Sequence, residues 1–248
     1  MPSAPHRTAL DHARRQLALL AATEQAYLDS SPYRLVHEHD ARAGRYLVHV
    51  KVASPMPDDI ARLSGDVVRG LRESLDALAT SLAGTTTRFP IFESLVLFAQ
   101  RARKSIAPMT DEAQAYLEEL QPYHAIGGFR NGPLWMLQQL DTTDVLRLTG
   151  SVLGAIVGVN TQRDVSLVGE PVVTTGPFDD GAAIGSVQTK VVGRDPKIDM
   201  FLRADYTIAF TREGAGRGRG VVALLAELCD HVEHTVLGAL EPTLSSPR

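Results

Sequence analysis

Arg45-Tyr46-Leu47-Val48-His49-Val50-Lys51-Val52-Ala53 alternates side chains with a period of two, and then the period changes. Tyr46, Val48, Val50 and Val52 take one face of a strand, and Leu47, His49 and Lys51 take the other. Upstream, Tyr33 to Asp40 is a second strand-like run, joined to the first by the turn-like Ala41-Arg42-Ala43-Gly44, so 33–53 reads as a β-hairpin. Downstream, Pro55 and Pro57 interrupt the chain, and a helical period takes over from about 58 to 83. There Val67, Leu71, Leu75, Leu78 and Leu82 form an apolar stripe. Asp58 and Asp59 suit the positive end of the helix dipole, and Gly84 suits its C-terminus. A hairpin followed by an amphipathic helix makes the fold class α+β.

Working outward, residues 6–29 read as a helix that ends at Ser30-Ser31-Pro32. Further helices are expected over 93–106, from Thr110 to Leu120, and from Pro133 onward in some form to about Ile156, with a break near Asp141 to Thr143. The character then shifts to Val, Thr and Ile. Turn clusters at Gly176-Pro177, Asp179-Asp180-Gly181 and Gly193-Arg194-Asp195-Pro196 separate strands expected at 164–174, 184–192 and 203–211. A last helix is expected over 219–239, followed by a frayed tail from Pro242. The expected architecture is a helical bundle with an antiparallel sheet of about five strands, in which the early hairpin and the late strands share one sheet. The expectation is a single domain over 1–248. The alternative is a helical part with the hairpin over 1–160 and strands plus the last helix over 161–248.

Composition narrows the function classes. The 248 residues are 44% hydrophobic and 22% charged, as in ordinary globular domains. The net charge of −4 argues against a general duplex-binding surface. With one cysteine, Cys229, no intrachain disulfide can form, which suits a reducing compartment. The N-terminus has no secretory pattern and the longest apolar run, Leu146 to Val159, is too short to span a bilayer. The expected location is cytoplasmic, with no membrane contact.

The helix at 58–83 carries the main candidate site. Asp66, Arg69, Arg72, Glu73 and Asp76 share its polar side. Arg69–Glu73 and Arg72–Asp76 stand at i,i+4 and Asp66–Arg69 at i,i+3, so solvated ion pairing is the competing reading of this face.

The pattern Gly65-Asp66…Leu71-Arg72…Leu75-Asp76…Leu78 resembles an uncharacterised family of bacterial and phage proteins. Its members read Gly-Asp-x-x-His-Asn-Leu-Arg-Ser-x-Leu-Asp-His-Leu on this helix. Phe89-Pro90-Ile91, Leu120-Gln121-Pro122-Tyr123 and Pro133-Leu134-Trp135…Leu137…Leu140, followed by Asp144 and Arg147, support the match. The likeness spans roughly residues 33–150. The motif helix is in turn similar to that of the HEPN superfamily of helical nucleases and nucleotide-handling proteins. In these, an Arg and a His four to six residues later act on RNA across a dimer, the His as general base and the Arg on the phosphate. This chain breaks that signature. Arg69, Gly70 and Ala77 stand where the family has His, Asn and His, and Val145 and Leu146 stand where Lys and His are expected. The resemblance therefore implies a non-catalytic or degenerate HEPN-like binding protein in a phage-related or defence context. A homodimer along the 58–83 helix and an RNA or protein partner are expected. The first alternative is an enzyme on a phosphate-containing or RNA substrate, with Arg69 and Arg72 as electrophiles and Asp66 or Asp76 as base. The second is a structural interaction protein.

Three other patterns were weighed. Gly214-Ala215-Gly216-Arg217-Gly218-Arg219-Gly220 precedes the last helix, and Arg217 and Arg219 are candidates for anion binding there. Its spacing matches no phosphate-binding fingerprint, so a plain connection competes. Glu227, Asp230, His231 and His234 share a helix face, and His37, His39 and His49 fall on the hairpin. Either set has metal-ligand chemistry, but solvent exposure reads better for both, and no metal or cofactor is expected.

Overall fold

The computed structural model describes residues 4–40, 42–143, 146–161, 165–191, 198–211, 213–214 and 216–245. Asp144, Val145, Asp164, the cluster 193–196, Ala215 and the last residues of the tail lie outside them. The fold is α+β, as the change of period implies. The chain divides into two compact units that are interleaved in sequence. One is drawn from 1–22, 59–146 and 221–248, the other from 23–58 and 147–220.

In the first unit, helix α1 (Pro5–Asp29) contributes its earlier turns and α2 (Asp58–Ala83) its length. The apolar stripe of α2 is fully buried at Ile60, Val67, Leu71, Leu75 and Leu78. After α2 an irregular segment, 84–94, leads to α3 (Leu95–Arg101) and α4 (Arg103–Ile106), which divide the expected 93–106 helix at Ala102. Ser94 caps α3 by accepting from the Leu97 N–H, and Thr110 caps α5 (Asp111–Glu119) by accepting from the Ala113 N–H. Pro133 occupies the first position of α6 (Pro133–Asp141), where its missing N–H has no helical partner to lose.

The last helix begins as α7 (Val221–Asp230) and continues as a π-helical stretch over His231–Leu237. Its expected stripe is buried throughout: Val221, Leu224, Leu225, Leu228, Val232, Val236 and Leu240. The tail is not frayed over its described part. Glu241–Ser245 forms a 3₁₀ turn, and buried Thr243 donates to the Leu240 carbonyl.

The second unit holds two antiparallel sheets. The first has the order β1 (Tyr33–Asp40), β2 (Arg45–Val52), β6 (Ala183–Val191), β4 (Val165–Val173). The early hairpin and two later strands thus share a sheet. The second has the order β5 (Gly176–Pro177), β3 (Leu148–Thr161), β7 (Ile198–Phe210). Val48, Val50, Ile184 and Val187 of the first sheet and Val152 and Leu202 of the second pack, with Phe178, into one core cluster.

Strand β3 corrects the sequence reading, which carried a helix on to about Ile156. Gly150, Gly154 and Gly158 fall at every fourth position, so a helix to Ile156 would carry two glycines, each costing about 1 kcal/mol relative to alanine, with a third just beyond it. The strand uses two of the three, and at Gly150 a Cβ would fall 2.5 Å from the Phe178 ring. The Phe201 ring of β7 lies across Gly158, where a Cβ would fall 2.0 Å from the ring. The register of β1 and β2 also settles the histidines. His37 faces Val48 and His39 faces Tyr46, while His49 faces Val36 on the opposite side of the sheet. The three cannot converge on one ion. No helix is long and apolar enough to cross a membrane among the described residues.

Candidate functional site

The polar face of α2 splits in two. At its earlier end Arg69 is exposed and donates to Asp66 at 2.6 Å, and Arg62 joins Asp66 from one turn back at 3.2 Å. Glu73 is exposed, and Arg69 pairs with Asp66 in place of the expected partner at i,i+4. Arg62 and Arg69 line a cleft of about 270 Å³ with Leu140 and Asp141.

One turn on, Arg72 and Asp76 are built into the protein. The Arg72 side chain is only 8% exposed. Its Nη2 donates to the Phe89 carbonyl at 2.8 Å and lies 3.1 Å from Asp76 Oδ1. Its Nη1 donates to Gln138 Oε1 at 3.2 Å. Asp76 Oδ1 accepts from the Phe89 N–H at 2.8 Å, and Oδ2 lies 3.4 Å from Arg88 Nε. The pair therefore grips both backbone polar groups of Phe89, as a neighbouring strand would. Gln121, 2% exposed, does the same for the next residues. Its Nε2 donates to the Pro90 carbonyl and its Oε1 accepts from the Phe92 N–H. Helix α2 and Gln121, in the turn that follows α5, thus hold the irregular segment Phe89–Phe92. Burial lowers the pKa of the Arg72 guanidinium, opposed by the charge of Asp76. Its Nε is buried without a hydrogen-bond partner.

This segment forms one wall of a cavity of about 470 Å³. Three guanidinium-bearing residues, Arg72, Arg88 and Arg101, line it, together with Phe92, Trp135, Gln138 and Gln139. Arg101 comes from the last turn of α3, where a cation also complements the helix dipole. Glu93 is the one carboxylate among the described lining residues, and its Oε1 accepts from Trp135 Nε1 at 2.9 Å. That bond, and the edge-on contact of Trp135 with Phe129 at 5.9 Å, fix the indole at the rim. No histidine is among the described lining residues.

Gly70 has a packing reason. A Cβ there would stand 3.0 Å from the Ala13 Cβ of α1, so glycine lets the two helices close up. Position 77 is half-buried alanine, with no side chain able to take a proton.

The other candidates are placed as follows. In the glycine-rich connection, the Gly218 N–H donates to the Phe210 carbonyl and the Arg219 N–H to the Gly216 carbonyl. The backbone donors that a phosphate would need at 218 and 219 are thus engaged within the loop. Arg217 and Arg219 are exposed. On the last helix, Asp230 and Glu233 pair with Arg14 of α1, while His231 lines a different cavity. No group of three or more metal-ligand residues converges among the described residues. Cys229 is buried and its thiol is pushed up to about 11 by desolvation, which makes it a packing residue.

Sequence reasoning named Arg72 and Asp76 but missed Arg88 and Arg101. Arg88 was legible as a charge beside Phe89-Pro90. Arg101 had no signal beyond the end of its helix. Comparison with protein-family models, with curated proteins and with solved structures finds no match.

Proposed function

We propose that this chain is a non-catalytic binding protein, a degenerate HEPN-like one, that takes a phosphate-bearing ligand such as RNA in the cavity of Arg72, Arg88 and Arg101. The observation that carries the reading is the convergence of three guanidinium-bearing residues on one cavity whose single carboxylate is engaged by Trp135. Guanidinium groups bind phosphate oxygens through paired N–H donors, and a fixed indole offers a face for a planar group. The buried Arg72 acts here as framework, with Arg88 and Arg101 as the accessible contacts.

The same geometry disfavours the enzyme reading. A metal-independent RNase needs a general base beside the arginine. Asp76 is the carboxylate nearest Arg72, and both its oxygens are already engaged, by the Phe89 N–H and two arginines. Arg69 opens on a separate cleft.

The test is binding of a 5′-phosphorylated single-stranded oligoribonucleotide at two salt concentrations, with cleavage followed in EDTA and in Mg²⁺. Binding should weaken with salt and fall roughly tenfold or more in the Arg88→Ala/Arg101→Ala variant, with no cleavage. Cleavage that Asp76→Asn abolishes in a folded sample restores the enzyme. Binding unaffected by the double variant rejects the cavity.

A further inference from the structure

A second cavity, of about 450 Å³, lies elsewhere in the helical unit and is of opposite character. Pro122 after α5 and Pro133 and Leu134 at the start of α6 form one side, and His231, Thr235 and Ala239 form the other. The second side is the π-helical stretch and, just past its end, Ala239. A π turn is wider than an α turn and is costly to form, so it occurs mostly as short insertions, frequently at functional sites. Here it runs through seven residues, His231–Leu237. Its i+4 and i+8 successions bring one imidazole and one hydroxyl to a wall that is otherwise apolar. Among the described lining residues there is no Lys or Arg, Glu119 is the one carboxylate, and His124 is a second imidazole.

We propose that this cavity is a second binding site, for a small uncharged molecule with an apolar body and one hydrogen-bonding edge, read by His231 and Thr235. Its volume falls within the roughly 300–1,000 Å³ of ordinary ligand pockets, and a mostly apolar lining with a few convergent polar groups is their usual make-up. Burial lowers the pKa of His231, against the charge of Glu227, so near neutral pH its ring is uncharged and offers one donor and one acceptor. Glu119 is the one carboxylate, and neither Lys nor Arg is present, among the described lining residues, which disfavours anions. The two cavities thus sort ligands by charge, and the proposal stands whether or not the arginine cavity binds phosphate.

The probe is 2-naphthol, with 2-naphthoate as its anionic counterpart. Each is titrated into the full chain by calorimetry, with the histidine ring resonances followed by NMR. Saturable 2-naphthol binding that shifts the His231 ring is expected, with 2-naphthoate weaker at this site. Thr235 is exposed, so Thr235→Trp narrows the mouth without entering the core. That variant should weaken 2-naphthol roughly tenfold or more, a loss of about 1.4 kcal/mol. Ala125→Trp, also at a lining position, serves should the first variant fail to fold. Absence of saturable binding, or an affinity unchanged in the plugged variant, overturns the site. Equal binding of 2-naphthoate with the same His231 shift overturns the ligand class.

Discussion

Asp66–Arg69 and Arg72–Asp76 lie one turn apart on the same helix, contain the same residue types and are both ion pairs, yet they do different things. The Arg69 side chain is 65% exposed and its charge is shared with water. The Arg72 side chain is 8% exposed, and its charge and that of its partner terminate on the backbone of Phe89. Sequence spacing makes the two pairs look alike. What separates them is whether a distant segment packs over them. Arg72, Asp76, Phe89, Pro90 and Gln121 are members of this buried grip, while along the same helix Arg69 is exposed, Gly70 is closely packed and Ala77 is half-buried.

The comparison can be broken most directly at Arg72. Arg72→Ala leaves Asp76 and the Phe89 carbonyl without their partner, and the expected loss is about 3–5 kcal/mol in urea unfolding. A loss below about 1 kcal/mol would put the pair in the same class as Asp66–Arg69.

The packing side of the same helix is tested by Gly70→Leu. The new side chain meets Ala13 from its first carbon onward, and overpacking should cost about 1–3 kcal/mol in thermal or urea unfolding. A neutral result would mean that α1 and α2 separate freely at this crossing.

An intermediate case sharpens the series. Arg7 donates to both oxygens of Glu241, and these side chains are 35% and 25% exposed. Hydrogen bonds from Arg7, and then from His6, hold the Glu241 carboxyl below its ordinary value. Stabilisation from a depressed carboxyl is complete above its unfolded pKa and is lost as pH falls through the folded one. Between about pH 5 and pH 3 the wild type should therefore lose more stability than Glu241→Gln. The difference should be about 1 kcal/mol, discounted for the exposure of Arg7. Equal acid sensitivity would show the contact to be worth nothing.

The smallest effect belongs to the exposed pair. Asp66→Ala and Arg69→Ala should each stay within about 0.5 kcal/mol of wild type, and salt should erase what difference there is. A cost near that of Arg72→Ala would collapse the distinction.

Local periodicity explains how much of this was legible beforehand. Helix α2 was read over its full extent because its stripe is unbroken and prolines precede it. The β1–β2 hairpin was read because its alternation is strict. Strand β3 was lost because Leu146 to Ile156 is apolar without strict alternation, and such a run suits either a strand or a buried helix. Its glycines were the available signal. At the site, Arg72 and Asp76 were visible as a pair, but their partners Phe89 and Gln138 come from two other segments, and Gln121, which holds Pro90 and Phe92, comes from a third. The π stretch left no trace in composition, since a widened turn reflects tertiary packing more than the preference of any one residue.

The interleaving of the units sets an order of events during synthesis. Helices α1 and α2 belong to a unit whose final element is α7, about two hundred residues from α1. At ribosomal rates of about 5–20 residues per second, α7 emerges roughly 10–40 s after α1. Through that interval the apolar faces of α1 and α2 lack part of their cover. A chain arranged in this way leaves apolar helix faces uncovered for as long as translation separates its first helix from its last.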